Sequence, residues 1–396
     1  MPRKWNVHDL DAAGKTVLTR VDFNAPLSGG KVADDTRIRA SLPTIRALQK
    51  QGAKIVLASH LGRPKGERNL EYTLAPVAER LSALLGETAR FVPDCVGASV
   101  SEAVERLEPG GVLLLENLRF YPGEEANDPE FARQLASCAD LYVNDAFGAA
   151  HRAHASTVGA AQMLPPAAAG LLMERELTYL SKAFDNPPRP FYAVLGGAKV
   201  SDKIGVLRAL MDAADAILIG GAMAYTFLVA LGRQVGNSLV EPDKIETARD
   251  LIVQSMMKRA PLYLPIDHII AKELSPDAEA AAAWRDTIPE DCEALDIGPA
   301  TLEMYALILR RAKMIVWNGP LGVYEVDAFA GGTLGMARAL GEMDAETIIG
   351  GGDCAAAVEK AGAADRMTHV STGGGAALEF LEGRELPGVA ALTDKM

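Results

Sequence analysis

The sequence predicts an α/β fold in which parallel sheets are covered by helices on both faces. Short apolar runs alternate with helical stretches along most of the 396 residues, which is the pattern of a parallel sheet between helical layers. The length is too great for one typical domain and suits two. Seven of the apolar runs end at small clusters of glycine, basic or amide residues. Parallel sheets bind ligands at the carboxyl ends of their strands, so these clusters predict a large site for an anionic substrate.

The alternation gives the order of the elements. The apolar runs predict strands at residues 16–19, 54–58, 112–115, 191–195, 314–317, 347–349 and 369–370. The intervening stretches predict helices at 36–51, 73–85, 128–139, 203–214 and 242–258. Proline pairs in the region 165–190 predict a boundary between two halves, with a helix of about 168–183 between them. That helix is a candidate hinge, because hinges lie at the ends of elements, but two rigidly packed domains fit the pattern equally well.

Composition and charge exclude several classes of protein. The net charge is −12 and no run of lysine or arginine exceeds two residues, which disfavours nucleic-acid binding and favours small anions. The four cysteines, Cys95, Cys138, Cys292 and Cys354, are far apart and form no Cys-x-x-Cys pair, which argues against a disulfide framework or a structural zinc site. No apolar stretch approaches the ~20 residues of a membrane span. The first residues lack the apolar core of a signal peptide, so we expect a cytoplasmic protein that does not enter a membrane.

The two halves of the chain differ at the ends of their predicted strands. The first half has arginine and histidine there, and the second half has glycine and lysine. A lone arginine is most often a surface charge, but several at corresponding strand ends suit a phosphorylated carboxylic acid, because guanidinium groups grip carboxylates and phosphates bidentately. Asp22 and Asn24 are expected to hydrogen-bond a substrate hydroxyl. The candidate residues of this half are Asp22, Asn24, Arg37, His60, Arg63, Arg119 and Arg152.

Lys199 and Lys203 lie four residues apart in a turn between a predicted strand and a predicted helix. Lysine is unfavourable near the positive N-terminus of a helix, so a function is more plausible here than a solvated helix start. A mobile point charge suits a phosphoryl group in transfer.

Two glycine-rich turns predict phosphate binding in the second half. Residues 350–353 (Gly-Gly-Gly-Asp) and 371–375 (Ser-Thr-Gly-Gly-Gly) each precede a helix, and such turns expose backbone N–H groups to phosphates. Asp353 is placed either to hold Mg²⁺ on nucleotide phosphates or to cap the helix. Cys354 follows it at the predicted helix N-terminus, where we expect a lowered thiol pKa. Glu325 is a weaker candidate, for a ribose hydroxyl.

Two common nucleotide signatures are absent. The chain has no Gly-x-Gly-x-x-Gly, which disfavours a nicotinamide dehydrogenase. The sequence Gly14-Lys15-Thr16 ends like a P-loop, but Asp9 replaces the required glycine and a strand follows. We therefore predict a turn there.

Taken together, these motifs resemble the phosphoglycerate kinase family over essentially the whole chain. The most specific stretches are 59–64, 144–154, 195–203, 317–325, 350–353 and 371–375, in the family's order. The resemblance implies two Rossmann-like three-layer α/β domains facing a cleft, with the C-terminal segment returning to the first domain. The implied boundaries are 1–167 for a 3-phosphoglycerate-binding domain, 168–183 for a hinge helix, 184–378 for a nucleotide-binding domain and 379–396 for the returning segment.

The resemblance also implies a reaction and roles for residues. Members of the family transfer a phosphoryl group reversibly from 1,3-bisphosphoglycerate to ADP, with Mg²⁺ bound to the nucleotide. They act as monomers. The seven first-half residues look like the 3-phosphoglycerate site, and Asp353 looks like the metal ligand. The catalytic set would be Arg37, Lys199, Lys203, Gly352 and Gly375. The nucleotide-binding set would be Gly197, Ala198, Lys203, Ala294, Asn318, Glu325, Gly351, Gly352, Asp353 and Cys354.

Three positions depart from the family pattern. Cys354 stands where threonine or serine is usual, Ala150 where threonine is common, and Ala294 where glycine is frequent. We expect these departures to tune affinity. The alternative to a kinase is a non-catalytic nucleotide- or phosphate-binding protein on the same fold, which should have lost Arg37, Lys199 or Asp353.

Overall fold

The computed structural model describes residues 3–258, 260–284 and 287–395, which form two compact units. The chain passes from the first unit into the second between Thr178 and Tyr179. It returns to the first between Arg384 and Glu385. The predicted returning segment begins earlier, at residue 379, and the structure keeps the residues up to Arg384 with the second unit.

The first unit is built on a parallel sheet with the spatial order β5-β6-β4-β1-β7-β8. A two-stranded antiparallel hairpin, β2-β3, lies outside it. The strands are β1 Thr16–Arg20, β2 Leu27–Ser28, β3 Lys31–Val32, β4 Lys54–Ala58, β5 Ala89–Phe91, β6 Val112–Leu114, β7 Leu141–Asn144 and β8 Ala167–Ala169.

Helices cover this sheet and enclose its apolar core. Apolar residues of the central strands, such as Ile55 and Leu57, share one buried cluster with Ile45 and Leu81 of the helices. The helices are α1 Thr36–Lys50, α2 Ala75–Leu85, α3 Ala98–Glu105, α4 Pro122–Glu125, α5 Pro129–Ala136 and α6 Ala160–Met163. Short 3-10 turns at Leu70–Tyr72, Leu118–Phe120 and Phe147–Ala149 and a π-helical turn at Ala155–Gly159 complete the unit.

Helix α7, Leu171–Ser181, spans the division between the units. The sequence places a helix at 168–183, but residues up to Ala169 form β8 instead. The three alanines of β8 are buried and pair with β7, so the edge position in the sheet overrides their helical propensity.

The second unit has its own parallel sheet with the order β11-β10-β9-β15-β16-β17. A separate antiparallel sheet has the order β13-β12-β14. The sequence pattern does not predict it, because β13 is largely exposed and charged residues stand within β12 and β14, so no strand of this sheet is an uninterrupted apolar run. The strands are β9 Phe191–Leu195, β10 Ala216–Ile219, β11 Leu262–Tyr263, β12 Asp267–Ala271, β13 Ala281–Trp284, β14 Glu293–Ile297, β15 Met314–Asn318, β16 Glu346–Gly350 and β17 His369–Val370.

Helices flank the large sheet of this unit, and its core centres on the fully buried Trp317. The helices are α8 Ile204–Ala213, α9 Met223–Ala230, α10 Ile245–Met257, α11 Pro299–Leu309, α12 Gly331–Leu340, α13 Gly352–Lys360 and α14 Gly375–Leu381. Short 3-10 turns lie at Pro242–Lys244, Asp327–Phe329 and Ala364–Arg366, and helix α15, Pro387–Ala390, belongs to the first unit.

The predicted fold class is confirmed. All seven predicted strands are present within one residue at each end, and all pair in parallel. The Gly14 region forms a turn ahead of β1, as predicted. In the described part of the chain, no helix has the length and apolarity needed to cross a bilayer.

A buried carboxyl group holds the start of α7 in the first unit. Asp145 Oδ1 accepts the backbone N–H groups of Leu172 and Met173 at 2.9 and 3.3 Å. The Thr44 hydroxyl accepts the N–H of Leu171 at 2.8 Å. Together they satisfy N–H groups that a helix start leaves without partners. Burial raises the pKa of Asp145 to about 7.

We predict that Asp145 makes stability fall as pH rises. A carboxyl pKa raised on folding favours the folded state below the ordinary pKa, and this contribution is lost as pH rises through about 7. The loss is at most about 1.4 kcal/mol per pH unit. Asp145→Asn keeps an oxygen acceptor and removes the titration. Its free energy of unfolding should therefore increase relative to that of the unsubstituted chain as the pH rises from 5 to 8. Urea unfolding at both pH values checks this, with the exposed Asp11→Asn as control. A pH-independent difference between Asp145→Asn and the unsubstituted chain would contradict the prediction.

Candidate active site

Four neighbouring strands of the first unit, β6, β4, β1 and β7, bring the predicted first-half residues to one edge of the sheet. Asp22 and Asn24 follow β1, His60 and Arg63 follow β4, and Arg119 follows β6. Because the strands are parallel, their carboxyl ends meet at this edge.

An ion pair and an amide bond connect the loops after β1 and β4. Arg37 Nη1, in the first turn of α1, lies 2.6 Å from Asp22 Oδ2. The Asp22 side chain is nearly buried while the Arg37 side chain is 38% exposed, so Arg37 keeps donors for a ligand. Asn24 Oδ1 accepts the Gly62 N–H at 2.9 Å, which fixes the loop after β4.

His60 is buried on Arg20, a residue that sequence reasoning did not place in the site. Arg20 Nη2 lies 3.1 Å from His60 Nδ1, and Arg20 Nε donates to Ser156 Oγ at 2.8 Å. Arginine is a donor only, so Nδ1 accepts and the ring hydrogen is on Nε2. Burial and the positive charges of Arg20, Arg119 and Arg37 hold the pKa of His60 well below its ordinary value. The signal for Arg20 in the sequence is a charged residue ending an apolar strand.

Asn117 is the second residue that the sequence analysis missed. Its side chain is fully buried between the loops after β4 and β6. Oδ1 accepts the N–H groups of Leu61 and Arg119 at 3.1 and 3.0 Å, and Nδ2 donates to the carbonyls of Leu61 and Tyr72. It therefore sets the distance between His60 and Arg119.

Arg119 is almost buried and faces Gly62. Its Nη1 donates to the Gly62 carbonyl at 2.7 Å. Its Nε lies 3.0 Å from Glu125 Oε1 without the alignment of a hydrogen bond. Burial lowers the pKa of Arg119, and the nearby positive charges of Arg152 and Arg20 act in the same direction. An incoming anion would relieve this repulsion.

Arg152 and His154 lie on the loop after β7, above a buried acid. Arg152 Nε donates to His151 Nε2 at 3.1 Å. Glu124 is fully buried, accepts the Ser156 hydroxyl at 2.6 Å and lies 3.6 Å from His154 Nδ1. Burial raises the pKa of Glu124, but hydrogen bonds from His154 and Ser156 and the charge of Arg20 lower it overall. Glu124 and Ser156 thus connect this loop to Arg20.

The remaining first-half residue, Arg63, is exposed to solvent. Within the described residues it donates to no protein acceptor. Its guanidinium therefore has all of its donors available for a ligand.

In the second unit, the turns after β9, β10 and β15 pack backbone against backbone. A Cβ on Gly196 would lie 2.1 Å from the Pro320 carbonyl oxygen, and one on Gly319 would lie 2.2 Å from the Gly196 oxygen. Gly221, with φ +67°, approaches Gly197 in the same way. Only glycine allows this close approach.

Lys203 lies against these turns, half-buried. Its Nζ donates to Asn318 Oδ1, and Asn318, at the end of β15, is itself buried. Burial lowers the pKa of Lys203, whereas the acidic groups of Cys354, Asp202 and Asp353 act in the opposite direction. The structure therefore brings Lys203, Asn318 and the start of α13 together.

Helix α13 begins at Gly352, after Gly351 with φ +95°. Asp353 is exposed in the first turn and caps no backbone N–H of this helix start. Its carboxylate is thus available to a ligand. Among the described residues, no three His, Cys, Asp or Glu side chains group to form a protein-only metal site. One free carboxylate suits Mg²⁺ that is bound mainly by nucleotide phosphates.

The expected low thiol pKa of Cys354 is wrong. The side chain is fully buried in the core cluster that contains Trp317. Burial raises the pKa of Cys354 to about 12, although a hydrogen bond from the Gly319 backbone opposes the shift. The charge of the helix N-terminus does not compensate for the lost hydration of a thiolate.

Several predicted nucleotide-site residues are not joined to this group by protein contacts. Lys199 and Glu325 are exposed, as are Ala198 and Gly375. Ala294 is buried in β14, where its N–H donates to Ser238 Oγ. Its side chain belongs to a core cluster with Ile270 and Ile288.

Comparison with known proteins agrees with this geometry. The family model described as Phosphoglycerate kinase matches residues 7–384. Two similar solved structures are phosphoglycerate kinases, from Coxiella burnetii and from Pyrococcus horikoshii OT3. The first is 41% identical with a TM-score of 0.90, and the alignment covers 98% of each chain. The second is 34% identical with a TM-score of 0.85, and again 98% of each chain is covered. The chain therefore belongs to the phosphoglycerate kinase family, whose members are phosphotransferases with a carboxyl group as acceptor.

Proposed function

We propose that this enzyme transfers a phosphoryl group reversibly from 1,3-bisphosphoglycerate to ADP, giving 3-phosphoglycerate and ATP. The observation that carries the proposal is the presence of two different anion sites at strand ends. The first unit offers Arg37, His60 and Arg119. The second offers Lys203 and the glycine-led start of α13.

The first site binds the phosphoglycerate. Four arginines match a ligand with a carboxylate and a phosphate: Arg37 in the first turn of α1, and Arg63, Arg119 and Arg152 in segments that follow strands. Asp22 and Asn24 lie between them and can accept hydrogen bonds from the substrate hydroxyl. His60, neutral at pH 7 because its pKa is lowered, donates from Nε2 without adding charge.

The second site binds the nucleotide. The positive end of α13 and the N–H groups of its first turn suit the phosphates. Lys203 adds a single positive charge beside them, and Gly197 and Ala198 line the same turn. Glu325 accepts a hydrogen bond from a ribose hydroxyl. Asp353 would hold Mg²⁺ together with the nucleotide phosphates, and the metal would supply positive charge to the transferring group.

The chemistry needs no general base. The bond between the acyl oxygen and phosphorus breaks, and an already ionised oxygen of ADP forms the new bond. Catalysis is then positioning and stabilisation of charge on the phosphoryl oxygens, by Arg37, Lys199 and Lys203 together with the backbone N–H groups of Gly352 and Gly375. The two ligands are bound by different units, so the proposal includes a domain closure that brings them together and excludes water.

We propose a cytoplasmic monomer.

The alternative, a non-catalytic binding protein, requires the loss of transferring groups. Arg37, Lys199 and Asp353 are all present, and Arg37 keeps its ion pair with Asp22. These observations favour the enzyme.

The decisive experiment is ATP formation from ADP, Mg²⁺ and 1,3-bisphosphoglycerate generated in situ. We expect turnover in the unsubstituted chain and a large loss in both Lys199→Met and Lys203→Met. Lys203 contacts Asn318 beside the phosphate turn, so Lys203→Met should also weaken ADP binding, whereas the exposed Lys199 should not. Calorimetric titration with ADP separates the two. ADP binding without turnover in the unsubstituted chain would support the binding-protein alternative.

Arg37→Ala should lower kcat by about 10²–10³-fold, the usual effect of removing one donor to a charged transition state. ADP affinity should stay unchanged, since Arg37 belongs to the first unit. Arg39→Ala is the matched control, because Arg39 is exposed on the same helix and pairs with Asp35 at 2.7 Å. Equal activity of the two variants would remove Arg37 from the mechanism.

The enzyme should resist thiol reagents at neutral pH. Burial raises the pKa of all four cysteines: Cys95, Cys138, Cys292 and Cys354. The thiolate is the reactive form, so iodoacetamide should leave activity unchanged over hours, with or without ADP. Rapid inactivation that ADP prevents would show that Cys354 is accessible in solution.

A further inference from the structure

A tight turn fixes the loop that carries Glu325. The Val326 N–H donates to the Val323 carbonyl at 3.1 Å, so Tyr324 and Glu325 are the central residues of this turn. The Glu325 side chain is exposed and has no protein partner within the described residues. The direction in which this side chain leaves the backbone therefore depends on the turn, including the peptide group that precedes Glu325.

Lys360, in the last turn of α13, contacts that peptide group. Its Nζ donates to the Tyr324 carbonyl at 3.0 Å and to Asp327 Oδ1 at 3.0 Å. The Tyr324 carbonyl belongs to the peptide between Tyr324 and Glu325. The lysine thus holds the plane of this peptide and the residue beyond the turn at the same time.

The spacing along α13 explains how one helix reaches both parts of the nucleotide site. Asp353, Ala357 and Lys360 are at i, i+4 and i+7, which places them on one face of the helix. Ala357 lies in a small buried cluster with Tyr324, between the phosphate end of the helix and Lys360. Burial and the negative charges of Asp353 and Glu325 raise the pKa of Tyr324.

We infer that Lys360 is a positioning residue for nucleotide recognition: it orients Glu325 toward the ribose of a nucleotide whose phosphates are bound at the other end of α13. The inference rests on the proposed function, because it assumes a nucleotide at this site. Lys360 itself touches no substrate. Its contribution should be confined to the contact that Glu325 makes.

The test is a thermodynamic cycle between Lys360 and the ribose hydroxyls. ADP and 2′,3′-dideoxy-ADP are titrated calorimetrically into the full chain and into Lys360→Met. Loss of one hydrogen bond is worth about three- to ten-fold in affinity. We expect Lys360→Met to weaken the binding of ADP by that factor and to leave the affinity for dideoxy-ADP unchanged. The ratio of the two affinities should therefore fall. In turnover, KM for ADP should rise while kcat is kept.

Three further variants separate positioning from general effects. Lys360→Arg keeps a donor and should restore discrimination. Asp327→Asn should have a small effect, because Asp327 is almost fully exposed and the bond to the Tyr324 carbonyl remains. Lys313→Met is the matched control, since Lys313 is an exposed lysine paired with Asp344 just before β15.

Three results would overturn the inference while leaving the proposed phosphoryl transfer intact. One is unchanged affinity for both nucleotides in Lys360→Met. Another is an equal loss of affinity for both nucleotides, which would place the effect at the phosphates. The third is equal binding of both nucleotides by the unsubstituted chain, which would mean that Glu325 makes no ribose contact. Absence of any ADP binding would overturn the proposed function as well.

Discussion

The site depends on how backbone groups are satisfied where parallel strands end. Beyond the last ladder bond, a buried N–H or carbonyl needs another partner. In the first unit, buried asparagines supply some of these partners. Asn117 ties the loops after β4 and β6, and Asn144 Oδ1 accepts the Ala146 N–H at 3.0 Å. In the second unit, the buried Asn318 at the end of β15 instead accepts a hydrogen bond from the Lys203 side chain. The charged residues are held in place by these amides.

Nearby carboxylates offset the positive charges of the arginines in the first unit, so these arginines can lie close together without a bound ligand. Asp22 pairs with Arg37, and the buried Glu124 reaches Arg20 through the Ser156 hydroxyl. His60 stays uncharged among arginines, because burial and their charges lower its pKa. An added proton there would increase repulsion. The local charge is therefore a compromise between ligand binding and the stability of the empty site.

The fold was largely predictable because burial on both faces gives parallel strands an apolar run that a sequence displays. Candidate site residues could be proposed where charged residues follow those runs, as at Arg119 and Lys203, and their roles stay predictions. Arg20 and Asn117 were missed because the sequence shows only that a polar residue lies at or after the end of a strand. Their roles depend on partners that the fold brings to them, such as Ser156 and Leu61. The error at Cys354 has a physical cause. A helix N-terminus predicts a lowered thiol pKa only if the sulfur stays solvated, and local sequence does not reveal burial.

Under the proposed function, the contrast between arginine in one unit and lysine in the other follows from what each site would have to do. A group that stays in place gains from bidentate donors in a rigid fork, which fix its orientation. A phosphoryl group in transfer must be stabilised more strongly in flight than at either end, since uniform binding does not accelerate a reaction. A flexible ammonium can follow such a group, and Lys199 has no contact that restrains it within the described residues. Lys203, anchored on Asn318, is better suited to mark the position of the nucleotide phosphates. Of the two lysines of this turn, Lys199 would then follow the transferring group, and Lys203 would hold the nucleotide phosphates in place.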